Sequence, residues 1–594
     1  MISVKKLNKI LIEKFNGRVT ASEHNNVVKL EGCLDNWNDI VKAGNICADK
    51  KSRRYVVNNI NLKDTNISTM KLPKVSDKHL DYKKPDVLII GAGIVGCAIA
   101  RELSRWNLDI LLVEKEHDVA MQASSRNDGM IHPGIDLKKG QIKQIYNSRG
   151  NNMYPRICKD LDVDFEMTGQ YLCFKDKWIK YILPFITGHW KKMNVPVKII
   201  DKKELKEKEP YLSDDIECAL QFPTAGIVCP YGLTIAYAEN AVENGVSLSL
   251  DTVVLNMNVK DNKIESVITN RGVIYPKIVI NAAGVFSDNI AELACDKFFS
   301  IHPRKGTNII LDKKAAYQVA TIASLFGTIA VKTSHSKGGG VVSTIDGNLL
   351  VGPDAEETYQ KEDYSTNINS VNNTINKQKN TSPLLNKQDI ITYFTGVRAA
   401  TYEEDFVICE GKNTKNIIHA AGIQSPGLTA APSIAVDIAD MAVKMLTKTQ
   451  TVLKNEQFNP TRKSIPKTSK LPDKARQKLI EKNSNYGVII CRCEEVSKGE
   501  IIDALNRPVP CDTIDGVKRR VRPGMGRCQG GFCSPLVAEI ISKEKNIPLY
   551  KITKNGDGSN IACGNTKRSD IVDTGNTKQS DISTDDTKGG DEIE

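Results

Sequence analysis

The sequence predicts an α/β multidomain protein, and three observations carry that prediction. An apolar run, "DVLII", passes through a glycine-rich turn into "IVGCAIAREL", whose small and apolar residues recur at helical spacing. The same succession of strand, small-residue turn and helix returns in "IVINAAGVFSDNIAELA" and in "NIIHAAGIQSPGLTAAPSIA". Finally, 594 residues exceed what a single core organises and leave room for roughly three or four domains.

Taken from the N-terminus, residues 1–65 form a small α+β module. "NNVVKLEGCLDN" alternates apolar and polar residues as a half-buried strand does, "WNDIVKAGNICADK" has helical spacing, and "RRYVVNNINL" is strand-like again. The order resembles the BON domain, a module associated with membrane or protein contact; a structural appendage is the alternative. Residues 66–84 are polar, carry Pro73 and are expected to be a linker. The main unit spans 85–447, a second polar linker 448–486, and a cysteine-bearing helical unit 487–551. Residues 552–594 contain "GNTKRSDI" and, eleven residues later, "GNTKQSDI". Such a polar tail buries too little apolar surface to offset its ordering entropy, so disorder is expected.

Composition narrows the function classes. The net charge of +11 is spread along the chain without basic blocks interleaved with aromatics, which argues against nucleic-acid binding and leaves an anionic substrate or a membrane surface compatible. No apolar run approaches the ~18 residues that span a bilayer, and "MISVKKLNKILIEKF" lacks a signal-peptide core. The expectation is a soluble, cytoplasmic protein with peripheral membrane association left open. Of the 15 cysteines, eleven are scattered singly and are expected to be reduced thiols, Cys511 and Cys563 among them.

The chemistry begins at the first turn. Gly91 permits the tight bend, Gly93 lets a pyrophosphate approach the helix N-terminus, and Gly96 allows close packing of helix on strand. Glu114, 18 residues after Gly96 at the end of "LDILLVE", is placed to bind the hydroxyls of an adenosine ribose. The turns with Gly284 and with Gly422, Ser425, Pro426 and Gly427 suit backbone approach along an extended cofactor. With no second complete G-x-G-x-x-G to hold NAD, the dinucleotide expected is FAD.

"SSRNDGMIHPGID", "PRKG", "GNLLVGPDAEE", "FTGVRAATYEEDFVI" and "GIQSPGL" follow in order. Together they resemble the FAD-dependent glycerol-3-phosphate dehydrogenase and L-2-hydroxyglutarate oxidase group of the D-amino-acid-oxidase-like superfamily, over roughly residues 85–445. The resemblance implies a Rossmann-like FAD-binding domain interleaved with an antiparallel-sheet substrate domain. Strand-like "GQYLCF", "ALQFPTAGIVCP" and "VSLSLDTVVLNMNVKDNKIESVIT" suit that second layer. It also implies that Ser125, Arg126 and Asn127 lie along the FAD, that His132 is catalytic or flavin-facing, and that Arg398 faces the anion of a substrate. Packing or helix-capping roles are the alternatives, and Ala399 replaces the proline that usually follows this arginine. Lys305 and Lys337 are further candidate cations, with solvated lysines the alternative. "HPGIDLKKGQIK" looks more like the clostridial-type anaerobic glycerol-3-phosphate dehydrogenases than the hydroxyglutarate branch, which prefers aromatics where this chain has Asp136 and Leu137.

Cys491 and Cys493 in "CRC" and Cys528 and Cys533 in "CQGGFC" supply four thiolates, enough for tetrahedral zinc or a 2Fe–2S cluster. The stretch resembles the bacterioferritin-associated-ferredoxin-like 2Fe–2S domain, in which Gly526, Gly530 and Gly531 admit backbone amides to the sulfurs. Lys518, Arg519, Arg520, Arg522 and Arg527 are expected to offset the cluster's charge. The resulting expectation is oxidation of sn-glycerol 3-phosphate with electrons leaving through the cluster to a protein or quinone-linked acceptor. L-2-hydroxyglutarate or another 2-hydroxy or amino acid is the alternative substrate, and a non-catalytic electron-transfer or scaffold subunit the alternative class.

Overall fold

A computed structural model describes residues 2–49, 54–65, 70–326, 339–562 and 564. Its centre is a six-stranded sheet in the order Ser247–Ser249, Ile110–Val113, Val87–Ile90, Ile278–Asn281, Ile417–Ala421 and Val407–Glu410. The first five run parallel, and Val407–Glu410 closes the edge antiparallel. Every residue of Val87–Ile90, Ile110–Val113 and Ile278–Asn281 is buried. That is why these strands read as unbroken apolar runs, since helices or sheets cover both of their faces. On one face the helices Ile94–Leu103, Pro230–Glu243 and Gly427–Leu446 share a core with the sheet through Ile89, Ala98, Ala236 and Ile434. On the other, the strands Val254–Lys260, Lys263–Thr269 and Gly272–Ile274 pack Met257, Ile264 and Val267 against Leu88 and Leu111.

The second layer is a nine-stranded sheet built from segments between 170 and 222 and between 301 and 401. The chain thus leaves and re-enters the nucleotide-binding sheet, the interleaving that the family resemblance implies. Pairing in this layer is antiparallel except where Ile322–Leu325 runs parallel to Gln170–Phe174. Its longest pair, Ile301–Leu311 with Ile390–Thr401, sets Arg304 opposite Arg398 and Gly306 opposite Gly396.

The N-terminal segment has two helices and three strands, one helix and one strand more than the strand, helix and strand read from the sequence. Ser3 caps Val4–Phe15 and Asn36 caps Trp37–Cys47. Val27–Leu34 pairs antiparallel with Val19–His24 and parallel with Tyr55–Leu62. Its core of Leu7, Leu11, Val28 and Leu30 takes in a residue from far along the chain, Tyr402. A Cβ on Gly44 would lie 2.2 Å from that ring, so glycine is what lets it reach the helix. Val56 N donates to Glu403 and Asn58 Nδ2 to the Tyr402 hydroxyl, each at 2.8 Å.

Both expected linkers are packed rather than loose in their described residues. Leu80 is buried, and Arg271 grips Asp77 and fixes the approach to the first strand; residues 66–69 lie outside the described residues. The 448–486 stretch is polar because its partners are polar: Arg462 pairs with the buried Glu239, and Arg101 donates to Pro460 O at 2.9 Å. Helices Lys498–Leu505, Ile514–Val521 and Ser534–Lys545 surround a core of Ile501, Val517, Val537 and Ile541, the first opened by a reciprocal Ser497–Glu500 capping box. Of the tail, Thr553 and Asn560 bridge to one another, whereas 563 and 565–594 lie outside the described residues. No helix among the described residues is long and apolar enough to cross a membrane.

Candidate functional site

The glycine turn is shaped by contacts that admit no side chain. A Cβ on Gly96 would sit 1.9 Å from Gly91 O, and one on Gly91 2.6 Å from Ala282 O. Gly93 precedes the helix Ile94–Leu103 and offers no side-chain cap. Ile94 N donates instead to Ser124 Oγ at 2.8 Å. Glu114 leaves the end of Ile110–Val113 and accepts from Ala92 N at 2.7 Å and Glu116 N at 3.1 Å. Burial pushes its carboxyl up to about 7 against the pull of those two amides. Glu114, Ser124 and the helix start thereby converge on one turn.

The following loop carries the next group of expected contacts. Ser125 Oγ donates to Gln122 O, while Asn127 Nδ2 donates to Ala123 O and Ser124 O and its Oδ1 accepts from Gly129 N. Asn127 therefore holds the loop's own shape. Arg126 stacks 3.8 Å over the ring of Tyr364, and its buried Nη1 has no hydrogen-bond partner among the described residues. A buried, unmatched guanidinium N–H beside a glycine-lined helix start is a donor set that suits an anionic dinucleotide. Gly284 opens a short helical turn after Ile278–Asn281. Gly422, Ser425 and Gly427 lie between Ile417–Ala421 and the helix that Gly427 begins. Both turns stand at the same end of the parallel strands as Gly91, where open α/β sheets bind ligands.

Arg398 and Arg304 face each other across the long strand pair but have different partners. Arg304 is bound by two carboxylates, Glu357 and Glu404, each at 2.7 Å. Arg398 donates to two carbonyls, Lys305 O at 3.1 Å and Asp354 O at 3.2 Å. Burial and then the Arg304 charge lower its pKa, yet a guanidinium remains ionised. Asp128 is near enough for each charge to act on the other, although burial outweighs this and raises the Asp128 pKa. Lys305 is occupied, pairing with Asp363 at 2.7 Å, and Lys337 lies outside the described residues. His132 sits where its main-chain N–H meets Thr429 Oγ1 at 2.7 Å. Its Nδ1 accepts from Gly134 N at 2.9 Å and its Nε2 is 3.9 Å from Asp136. In the neutral ring this places the proton on Nε2.

The four thiols come as two pairs. Cys491 and Cys533 are buried and share a hydrogen bond, while Cys493 and Cys528 are exposed with their sulfurs 3.6 Å apart. Backbone N–H groups of Gly524, Glu494 and Cys493 point at the Cys491 sulfur, and those of Phe532 and Gly530 at Cys528. A Cβ on Gly526 would lie 2.4 Å from Cys493 Cβ. Two thiol pairs ringed by amide donors fit a binuclear iron–sulfur centre. The nearby cations depart from expectation. Arg519 and Arg520 converge on Asp118, Arg522 spans Asp346 and Glu494, and the exposed Arg527 lies 3.9 Å from Asp312. Arg519 and Arg520 join the cysteine unit to the nucleotide-binding unit, and Arg522 joins it to the nine-stranded layer through Asp346. Sequence spacing could not show this because Asp118 and Asp346 lie far upstream. Cys511 is a packed thiol pushed up to about 11 by burial, and Cys563 lies outside the described residues.

Known proteins are similar to this chain over both its nucleotide-binding and its cysteine-bearing units. Residues 86–441 match the family described as FAD dependent oxidoreductase, and residues 489–543 the BFD-like 2Fe–2S binding domain. The chain is 39% identical over 485 residues to a glycerol 3-phosphate dehydrogenase of Caloramator mitchellensis, covering 81% of this chain and 99% of that protein. It is 24% identical over 524 residues to one subunit of the anaerobic glycerol-3-phosphate dehydrogenase of Escherichia coli (strain K12), covering 78% and 89%. Among solved structures, the dithionite-reduced L-alpha-glycerophosphate oxidase of Mycoplasma pneumoniae with FAD bound superposes with a TM-score of 0.58 at 26% identity, over 64% of this chain and 98% of that one.

Proposed function

Because the chain belongs to the FAD dependent oxidoreductase family, we propose that it oxidises sn-glycerol 3-phosphate to dihydroxyacetone phosphate and hands the electrons to a partner through its 2Fe–2S domain. The observation that carries the substrate is the similarity to the Caloramator mitchellensis glycerol 3-phosphate dehydrogenase across nearly that protein's whole length. The partner, an electron-accepting subunit, is suggested by the similarity to a protein named as one subunit of an anaerobic dehydrogenase.

Bound FAD supplies a two-electron acceptor, and the iron–sulfur centre a one-electron acceptor. The turn at Gly91, Gly93 and Gly96, with Glu114, Ser125, Arg126, Gly284, Gly422, Ser425 and Gly427, would hold the flavin cofactor. Cys491, Cys493, Cys528 and Cys533 would hold the cluster. Arg398 is a largely buried cation whose hydrogen bonds among the described residues reach neutral carbonyls, so a phosphate dianion brought to it is electrostatically favoured through paired N–H donors. His132, with its Nε2 proton, orients the substrate hydroxyl as a donor. It acts as the base only when Gly134 N releases Nδ1 and the tautomer changes.

Anaerobic titration of the purified flavoprotein tests the reading. Glycerol 3-phosphate is expected to bleach the flavin band, L-2-hydroxyglutarate to leave it oxidised, and Arg398→Ala to require on the order of 100-fold more glycerol 3-phosphate, the loss expected for a charge-assisted anion contact. Bleaching by the hydroxy acid alone would reverse the choice of substrate. Failure of every donor would favour an electron-transfer subunit.

A further inference from the structure

The helix Ile179–Lys191 lies on the nine-stranded sheet with two unlike faces. Inward, Ile179, Leu183 and Trp190 share a core with Phe174, Leu220 and Phe222. Outward, Trp178, Tyr181, Ile182, Phe185 and Ile186 follow the i, i+3, i+4, i+7, i+8 spacing of one helix face. All five are exposed, Phe185 by 83% and Tyr181 by 69%. Single exposed apolar side chains are ordinary, but a contiguous aromatic and aliphatic stripe along a helix marks a contact surface. Lys177, Lys180, Lys191 and Lys192 are exposed at its two ends and flank, and 177–192 contains no Asp or Glu.

We propose that this helix is an interfacial membrane anchor that lies flat in the headgroup region of a bilayer rich in anionic lipid. Thirteen residues give a rod of about 20 Å, too short to span the hydrocarbon. Tyr and Trp carry an apolar body and a polar tip suited to that depth, and the lysines match lipid phosphates in charge. The whole chain adds to the attraction with its net charge of +11. A protein partner for this ridge would need its own acidic rim, whereas an anionic leaflet presents that charge everywhere. The anchor is coupled to the site: Trp190 Nε1 donates to Ile135 O at 2.8 Å, three residues beyond His132. This inference stands independently of the substrate proposed above.

The test uses the full-length holoprotein and vesicles of phosphatidylglycerol in phosphatidylcholine, or of phosphatidylcholine alone, read by co-flotation and tryptophan emission. The wild type is expected to float with the anionic vesicles, with a blue shift that Trp178→Ser abolishes and less binding at high salt. The triple variant Trp178→Ser/Tyr181→Ser/Phe185→Ser is expected to bind at least about ten-fold more weakly with its flavin retained. Lys177→Gln/Lys180→Gln/Lys191→Gln/Lys192→Gln alters no buried residue, and so carries the test even if the serine variant fails to fold; it too is expected to lose about ten-fold. Wild type that stays in the aqueous fraction with both vesicle types overturns the proposal, as does a quadruple lysine variant that floats undiminished. If the wild type dimerises in solution through this stripe and ignores vesicles, the surface belongs to a second copy instead.

Discussion

Gly306 is where a missing side chain matters most. A Cβ there would stand 2.3 Å from Arg398 Nη2 and 2.6 Å from its Cζ, so the guanidinium occupies space that any larger residue would take. Gly306→Ala is expected to push Arg398 aside and slow glycerol 3-phosphate-driven flavin reduction on the order of 100-fold, the scale of a misplaced binding group. Flavin content should be unchanged, because Gly306 is not among the residues assigned to the nucleotide cradle; stopped-flow reduction with a flavin assay reads both. The motif singled out Arg398 in the sequence. Its contrast with Arg304 was not legible there, since the carboxylates that neutralise Arg304 come from Glu357 and Glu404, 53 and 100 residues away. Ser124 was missed for a smaller reason. The twin serines of "SSR" offered two hydroxyls, and only the local turn decides that Ser124 reaches Ile94 N while Ser125 turns back to Gln122.

At the scale of elements, the seam between the cysteine unit and the nucleotide-binding unit rests on a few charges. Asp118 is buried, and burial alone would raise its carboxyl, but Arg520 and Arg519 hold it down to about 2. Removing one member of such a group leaves the others charged and dry. Asp118→Ala is therefore expected to cost about 3–5 kcal/mol of docking, seen as faster proteolysis within 448–486 and an earlier thermal transition. Unchanged cleavage would mean that the apolar contacts of the seam suffice. Strands buried on both faces and glycine-led helices were readable because their pattern is local. The packing of the 448–486 stretch was not readable, because a chain held by Arg101, Glu239 and Asn240 has the same polar composition as one held by water.

For the whole molecule, the N-terminal module brings a pH dependence. Glu403 accepts from Val56 N across the interface, and burial pushes it up to about 7, above the ordinary glutamate value of about 4.3. A carboxyl raised in the folded state contributes stability that is complete below its unfolded pKa and lost as pH rises through the folded one. Up to about 3 kcal/mol would be lost between about pH 4.3 and 7. Glu403→Gln should flatten that part of the profile of thermal stability against pH, and a profile unaltered by the substitution would remove Glu403 from the account. Glu404 has the opposite sign. Burial would raise it, but Arg304 holds it down to about 2, so its contribution is lost only as the medium becomes strongly acidic.

The strand Ile390–Thr401 explains why the module is no passenger. Along one stiff line it places Gly396 under Arg126, Arg398 in the candidate site, and then, just past its end, Tyr402 inside the core of residues 2–62. A shortened protein that began at residue 85 would not be a smaller version of the same catalyst. It would hold its arginine on a rod whose far end had lost its socket, and the same module transplanted to a flavoprotein without a ring at that position would have nowhere to seat.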